Sequence, residues 1–376
     1  MKRKCLYELF FDSCQRTEAN MEKWRVAVPQ ILWEMYTPDI NGNYDPGLRQ
    51  RNLKRILTTI DGCFLGTARN SPPFIRLILF PEFSLGGWTS GQTNIGAQKE
   101  HVAITIPGPE TEVLAQKAIQ RKVYIALGIM ENDSAWPNLL FNSAIIISPK
   151  GKIILHYRKW NANLGTNPHE IWDEYVAPIT GQRDPFPVVD TEIGRLAVSI
   201  CADIYSPELH RAYALKGAEV LCHLTAGSPQ IRIAMYRTRA ADNSMYIAVT
   251  NMAGNILADG LIDHSRTLRQ TIGVSGRSAV YDYEGNPIAE ATGDASQIVI
   301  GTIDIASLRA NGPNLTDLRT EPFAPFYNQS IIPPNIFLNA TQKELLEPKK
   351  VREQYAAQAR QNREKLYSFY SENDVK

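Results

Sequence analysis

Little in this sequence commits it to a membrane, a nucleic acid or a disulfide framework. No run reaches the ~18 consecutive apolar residues that a membrane-spanning helix requires. The 40 lysines and arginines nearly balance 39 acids, for a net charge of +1. Neither sign is in enough excess to hold a phosphate backbone or an anionic lipid surface, so neither nucleic acid nor membrane is expected as a partner. Cysteine is scarce and scattered: Cys5, Cys14, Cys63, Cys201 and Cys222 are an odd number with no C-x-x-C pair. That spacing argues against disulfides and against a zinc site, and it suits a reducing compartment. The basic start Met1-Lys2-Arg3-Lys4 could open a signal sequence, but Glu8 and Asp12 interrupt the apolar part and no small-residue cleavage site follows. The expectation is a cytoplasmic protein. No internal repeat and no low-complexity tract is visible.

What is present is an ordinary globular composition, 44% hydrophobic and 21% charged, over 376 residues. Residues 1–22 are polar and irregular and read as an extension. Residues 23–310 alternate strand and helix patterns with no interior linker, and 311–376 turn to Pro and Asn before a charged helix near 349–370. That helix carries Val351, Tyr355, Ala359 and Leu366 at helical spacing. Within the core, Trp24–Val28 predicts a strand ended by Pro29, and a helical pattern (Leu48, Leu53, Ile56, Leu57, Ile60) begins near Pro46 and ends before Gly66. Phe74–Phe80 reads as a strand covered on both faces, and Pro109–Lys122 as a helix with proline and Glu110 in its first turn. Strands follow at Val123–Met130, Leu139–Ser148 and Lys152–Tyr157, the last two joined by a tight turn at Lys150-Gly151. Strand 194–200, helix 206–216, strand Val220–Leu224, helix 229–243 and strand Tyr246–Asn251 then alternate. Arg277–Tyr283, Pro287–Ala291 and Gln297–Ile303 close the core. This mixture of β-α-β units and hairpins predicts large mixed sheets with helices on their outer faces.

Three strand ends carry groups able to do chemistry. Leu196–Ile200 is an apolar run broken by Cys201-Ala202-Asp203, with Ser206-Pro207-Glu208 opening a helix. A cysteine at such an elbow has its sulfur fixed by the strand and backbone N–H groups nearby to face an oxyanion. Taken alone it reads more readily as a core thiol. Phe80-Pro81-Glu82-Phe83 puts a carboxylate directly after a buried strand. Such a group is costly to keep ionised without a partner and suits a general base working near neutrality; taken alone it is also a plain surface acid. His156-Tyr157-Arg158-Lys159-Trp160 closes a hairpin strand on a lysine, a pattern that by itself often marks a solvated charge.

Together, and in this order, Phe80-Pro81-Glu82-Phe83, Tyr157-Arg158-Lys159 and Ile200-Cys201-Ala202-Asp203 with Pro207-Glu208 resemble the nitrilase superfamily of carbon–nitrogen hydrolases, over about residues 24–305. The resemblance implies an α/β fold, a four-layer α-β-β-α sandwich with two mixed β-sheets. It implies Glu82, Lys159 and Cys201 as catalytic groups, and Glu170 as a second glutamate with Glu174 as its alternative. It also implies a cysteine thioester mechanism with no metal or organic cofactor. Ala202 would supply an oxyanion N–H. Trp88, Trp160, Trp172 and Tyr205 follow the motifs and could wall an apolar pocket or simply pack. His156 and His210 read as structural.

The pair Ala202-Asp203 differs from the Trp-Glu that tends to follow the cysteine of true nitrilases, which favours an amide over a nitrile. Ile204-Tyr205-Ser206 lacks the basic residues that carbamoyl hydrolases place there to grip a carboxylate, which favours an uncharged substrate. The expectation is an aliphatic-amidase-like enzyme acting on a small amide and water. N-carbamoyl hydrolase and nitrilase stand as alternatives, acyl transfer shares the thioester, and a catalytically silent scaffold is the non-enzyme alternative. The resemblance further implies a homodimer or higher homo-oligomer, with helices 206–216 and 229–243 at an interface.

Overall fold

The structure is a computed structural model and describes residues 22–35, 45–66, 71–87, 95–160, 167–176, 184–257 and 275–312, with parts of 315–341 and the helix 348–371. The extension 1–21 and Trp88 lie outside the described residues, as do most of 161–185 and 258–274.

Fourteen strands are described. They are β1 (Lys23–Gln30), β2 (Trp33–Met35), β3 (Ile75–Phe80), β4 (Tyr124–Glu131), β5 (Phe141–Ile147), β6 (Ile153–Arg158), β7 (Val188–Thr191), β8 (Gly194–Ile200), β9 (Val220–Leu224), β10 (Tyr246–Thr250), β11 (Asn255–Leu257), β12 (Ala279–Tyr281), β13 (Pro287–Glu290) and β14 (Gln297–Asp304). They form two six-stranded sheets, ordered β14-β1-β3-β4-β5-β6 and β13-β12-β10-β9-β8-β7, and a small pair β11-β2. Each large sheet has three parallel strands at its centre, β1-β3-β4 in one and β8-β9-β10 in the other, flanked by antiparallel neighbours. The same pairing pattern thus occurs twice in a chain whose sequence shows no repeat.

The layers follow from two-residue periodicity in strands buried on both faces. Val26, Val28, Leu77 and Leu79 face a core shared with Leu196, Val198, Ile200, Val220 and Leu224 of the other sheet. Their alternates Ala27, Ile78 and Phe80 pack outward with Ile56 and Ile60 of the helix Leu48–Gly62 and with Leu114 and Ala118 of the helix Pro109–Arg121. In the second sheet Ala197, Leu221 and Ile247 pack outward with Leu209 and Tyr213 of the helix Pro207–Leu215 and Tyr236 and Ala240 of the helix Gln230–Asn243. The result is the expected α-β-β-α sandwich. Each fully buried leucine, isoleucine or valine in these layers contributes about 1.5–3 kcal/mol of transfer free energy.

Some details depart from the sequence reading. β1 continues through Pro29 to Gln30, because β3 pairs only with Arg25–Ala27 and the proline lies beyond that parallel ladder. The Pro29 carbonyl instead accepts the Thr250 hydroxyl at 2.9 Å, a tie between the sheets. Unforeseen elements are β2, β7, β11 and the short helices Ile95–His101 and Ile305–Asn311. The C-terminal helix runs Pro348–Ser371. Ala359 is half-buried there, and the side chains of Val351, Tyr355 and Leu366 lie outside what is described.

His210, as expected, is structural. It is buried, its Nδ1 donates to the Ser206 carbonyl at 2.8 Å, and its Nε2 has no partner. Burial pushes its pKa down to about 4. An unfolded chain binds that proton below the ordinary histidine range, near 6.5, while the folded chain does not until about pH 4, so stability falls as pH drops through that window. His210→Asn keeps a donor for Ser206 and cannot titrate. Urea denaturation at several pH values should show it losing less stability than the parent between pH 6.5 and 4, by about 3 kcal/mol in the limit. Parallel curves for the two proteins would contradict this.

Candidate active site

Glu82, Cys201 and Thr225 each follow a central parallel strand, β3, β8 and β9, and Lys159 follows the edge strand β6. Sites in α/β sheets commonly lie at such carboxyl ends. The structure brings Glu82, Lys159 and Cys201 together. Lys159 Nζ donates to Glu82 Oε1 at 2.7 Å with both side chains buried. Asn142 Nδ2, from β5, donates to the same oxygen at 2.7 Å, and the Ala226 backbone N–H reaches Glu82 Oε2 at 3.3 Å. Burial is the largest influence on Lys159 and works against its charge. The charges of Glu82, Cys201 and Asp203, with the Glu82 hydrogen bond, outweigh it and hold the ammonium protonated well above the ordinary lysine range.

Cys201 is partly exposed and opens a 3-10 turn, Cys201–Tyr205, in the left-handed region at φ +47. Phe83, next to Glu82, is left-handed too, at φ +63. Non-glycine residues persist there only where the surroundings over-determine them, and such positions cluster at functional sites. At the elbow the over-determination is visible. The buried Asp203 carboxylate accepts from the Ile200 N–H at 2.8 Å and from the Tyr157 hydroxyl at 2.7 Å. Tyr157 Oη in turn accepts the Trp160 N–H at 2.9 Å. One hydroxyl therefore joins the cysteine turn of one sheet to the backbone flanking Lys159 in the other. Tyr213 Oη, donating to the Val198 carbonyl at 2.6 Å, holds β8 from the helix side.

Behind Lys159, Arg158 is buried against Glu131 at 2.5 and 2.9 Å and Asp133 at 2.5 Å, with its guanidinium over the Phe141 ring. His156 also pairs with Glu131, at 2.9 Å, which is the structural part expected of it. Burial alone would raise the Glu131 carboxyl, but His156 and Arg158 hold it far below the ordinary carboxylate range.

Sequence reasoning missed Arg232. Its Nη1 lies 3.1 Å from Cys201 Sγ and 3.3 Å from Thr225 Oγ1, and it donates to the Gly227 carbonyl. Its Nε reaches Tyr205 Oη at 3.4 Å, and the guanidinium sits over the Tyr205 ring. The signal was in the helix periodicity: Arg232, Tyr236, Ala240 and Asn243 form its buried stripe. Burial, then the charge of Glu82, pushes the Cys201 thiol up; Lys159, Arg232 and Thr225 act in the opposite direction.

The remaining sequence candidates differ in position. Glu170 is buried in the 3-10 turn Pro168–Ile171, where its carboxylate accepts the Asn167 N–H at 3.3 Å. Glu174 is exposed and accepts from Trp136 Nε1 at 3.3 Å. Trp160 and Trp172 meet edge to face at 5.5 Å, with His169 and Phe186 against Trp160. Tyr205 is exposed and Ala202 lies in the cysteine turn.

A fold with two facing mixed sheets and a buried Glu-Lys pair beside a cysteine elbow defines a class. The carbon-nitrogen hydrolase family model matches residues 19–311, and the chain belongs to that family. Formamidases from Helicobacter acinonychis (strain Sheeba) and Bacillus cereus (strain B4264) are similar to it, 36% identical over 212 residues and 34% over 215. Each match covers 54% of this chain, and the chain spans 57% of the length of those relatives. Among solved structures, Saccharomyces cerevisiae Nit3, of the nitrilase superfamily, matches at TM-score 0.58 and 23% identity, over 80% of this chain and 99% of that one. An amidase from Nesterenkonia sp. matches at 0.57 and 17%, over 84% and 100%.

Gly128 of β4 lies against the turn carrying Glu82. A Cβ there would fall 2.7 Å from Glu82 Cα and 3.0 Å from the Pro81 carbonyl oxygen, both backbone atoms. Gly128→Ala is expected to displace the carboxylate. Under the catalytic role proposed below for Glu82, it should lower kcat by at least about a hundredfold, the scale of a misplacement near 1 Å. Steady-state kinetics giving parental values would show that the turn tolerates the shift.

Proposed function

We propose that the chain is an amidase that hydrolyses a small, uncharged amide to a carboxylic acid and ammonia through a thioester on Cys201. The observation that carries this reading is the buried Glu82–Lys159 pair within electrostatic reach of a sulfur held at a left-handed elbow. The formamidases similar to this chain support it on the side of the substrate.

In this mechanism the Cys201 proton passes to the Glu82 carboxylate and the sulfur attacks the amide carbon. The oxygen of the tetrahedral intermediate is held by the Lys159 ammonium and the Ala202 N–H. Glu82 returns the proton to the nitrogen, the C–N bond breaks and ammonia leaves. A water then gives a proton to Glu82 and its oxygen to the acyl carbon, the C–S bond breaks, the released sulfur takes the proton back from Glu82, and the acid departs. Glu170, buried where Glu174 is exposed, is the better candidate to orient the amide nitrogen or the water. Arg232, whose hydrogen bonds go to protein acceptors, does not argue for a carboxylate-bearing substrate.

The hydrolase unit spans residues 23–310, flanked by extensions at 1–22 and 311–376. The exposed Leu215 and Ile231, on the two helices that follow the cysteine, suit a contact between copies of the chain. Among the described residues no helix is long and apolar enough to cross a membrane. The odd, scattered set of five cysteines suits a cytoplasmic setting, and Cys63, Cys201 and Cys222 are in no disulfide among the described residues.

The test is ammonia release from formamide, acetamide, carbamoyl amino acids and nitriles, with hydroxylamine added to intercept the acyl group. Turnover of simple amides, hydroxamate formation and a loss of at least about a thousandfold in Cys201→Ala are expected. Parental rates in that variant, or turnover confined to nitriles, would sink the proposal.

A further inference from the structure

We propose that Arg232 is a second cationic partner of the nucleophile, its guanidinium holding the Cys201 sulfur as a thiolate once the proton has moved to Glu82. The inference rests on the role given to Cys201 above and adds a residue on the sulfur itself. An N–H···S contact of 3.1 Å from the guanidinium of an arginine that is 7% exposed is a charge-assisted contact in a largely desolvated setting. There, an ion pair is worth far more than in water.

The geometry separates the duties of the two cations. Lys159 is spent on Glu82 Oε1, the oxygen that also takes Asn142. Arg232 makes no contact with Glu82; its Nη1 turns to Sγ, Thr225 Oγ1 and the Gly227 carbonyl. That segment after β9 also holds Glu82, through the Ala226 N–H, so base and cation are positioned by adjacent backbone. The Gly227 carbonyl anchors Nη1, and a tyrosine ring against the guanidinium fixes its plane. A lysine there would bring charge without the planar fork.

The groups that bear on the sulfur come from every element packed around it. Glu82 follows β3, Lys159 follows β6, and Thr225 follows β9. Arg232 and the Tyr236 hydroxyl come from the helix Gln230–Asn243, and Asp203 from the cysteine's own turn. Asp203 is occupied by Tyr157 and the Ile200 N–H, and Tyr236 by Ser228 at 2.9 Å. Once Glu82 has taken the proton it is neutral, the Lys159 ammonium also favours the sulfur anion, and Arg232 is the cation in hydrogen-bonding contact with the sulfur itself.

The experiment is alkylation of the full chain by iodoacetamide from about pH 5 to pH 10, spanning the ordinary thiol range. Modification is read at the Cys201 peptide by mass spectrometry, because four other cysteines are present. In Arg232→Gln the midpoint should rise by about one to three pH units with the high-pH plateau rate kept, and in Arg232→Lys by less. A plateau that falls while the midpoint stays would mean that Arg232 only shapes the Thr225–Ser228 segment, and an unmoved profile would overturn the proposal outright. Should Arg232→Gln fail to fold, the Arg232→Lys profile alone decides, by moving or staying. Alkylation needs no amide, so an enzyme that turned over no amide yet showed the shift would refute the function and keep the role of Arg232.

Discussion

Everything at this site depends on one buried hydrogen bond, from the Tyr157 hydroxyl to the Asp203 carboxylate. Tyr157 belongs to β6 in one sheet and Asp203 to the turn after β8 in the other. The sheets meet largely through apolar side chains, which are non-directional and leave lateral position weakly specified, with a few polar ties such as Thr250 to the Pro29 carbonyl. A polar tie between fully buried groups supplies the missing direction, since breaking it strands a carboxylate in the core. It fixes the lysine that follows Tyr157 by two residues against the cysteine that precedes Asp203 by two. The left-handed backbone at Cys201 is tolerable because the Ile200 N–H is bound by the same carboxylate.

Much of this was legible in the chain because each group closes an apolar strand. β8 and β9 run Gly194–Ile200 and Val220–Leu224, the bounds read from their largely apolar runs. Glu82, Lys159 and Cys201 could be named for the same reason: an ionisable residue directly after such a run has only a strand end to occupy. The family likeness then joined three weak signals into one expectation. What could not be read depends on distant partners. β2 and β11 are three residues each and exist only by pairing with one another across more than two hundred residues. Pro29 looked like a strand end because proline removes a donor, and only the staggered pairing of β1 with β3 shows why the strand survives it.

Arg232 illustrates a different limit. Helical spacing puts it on the buried stripe with Tyr236 and Ala240, but periodicity says which way a side chain points and not what it meets. Attention to the segment just after the cysteine found no basic residue there, and the cation arrives instead from the helix that follows β9. The choice between Glu170 and Glu174 was similar. The two differ by four positions, and that Glu170 is buried in a 3-10 turn while Glu174 is exposed is invisible in the residues themselves.

The arrangement of the four charged groups has one more consequence. One sheet contributes an acid and a base, Glu82 and Lys159; the other contributes Asp203 and, through its outer helix, Arg232. Counting these four groups alone, each half is formally electroneutral, so together they bring no net charge to the site. Moving a proton from sulfur to carboxylate relocates one negative charge from the first half to the second without altering the total. A neutral guest could reach such a site and leave it without upsetting that balance.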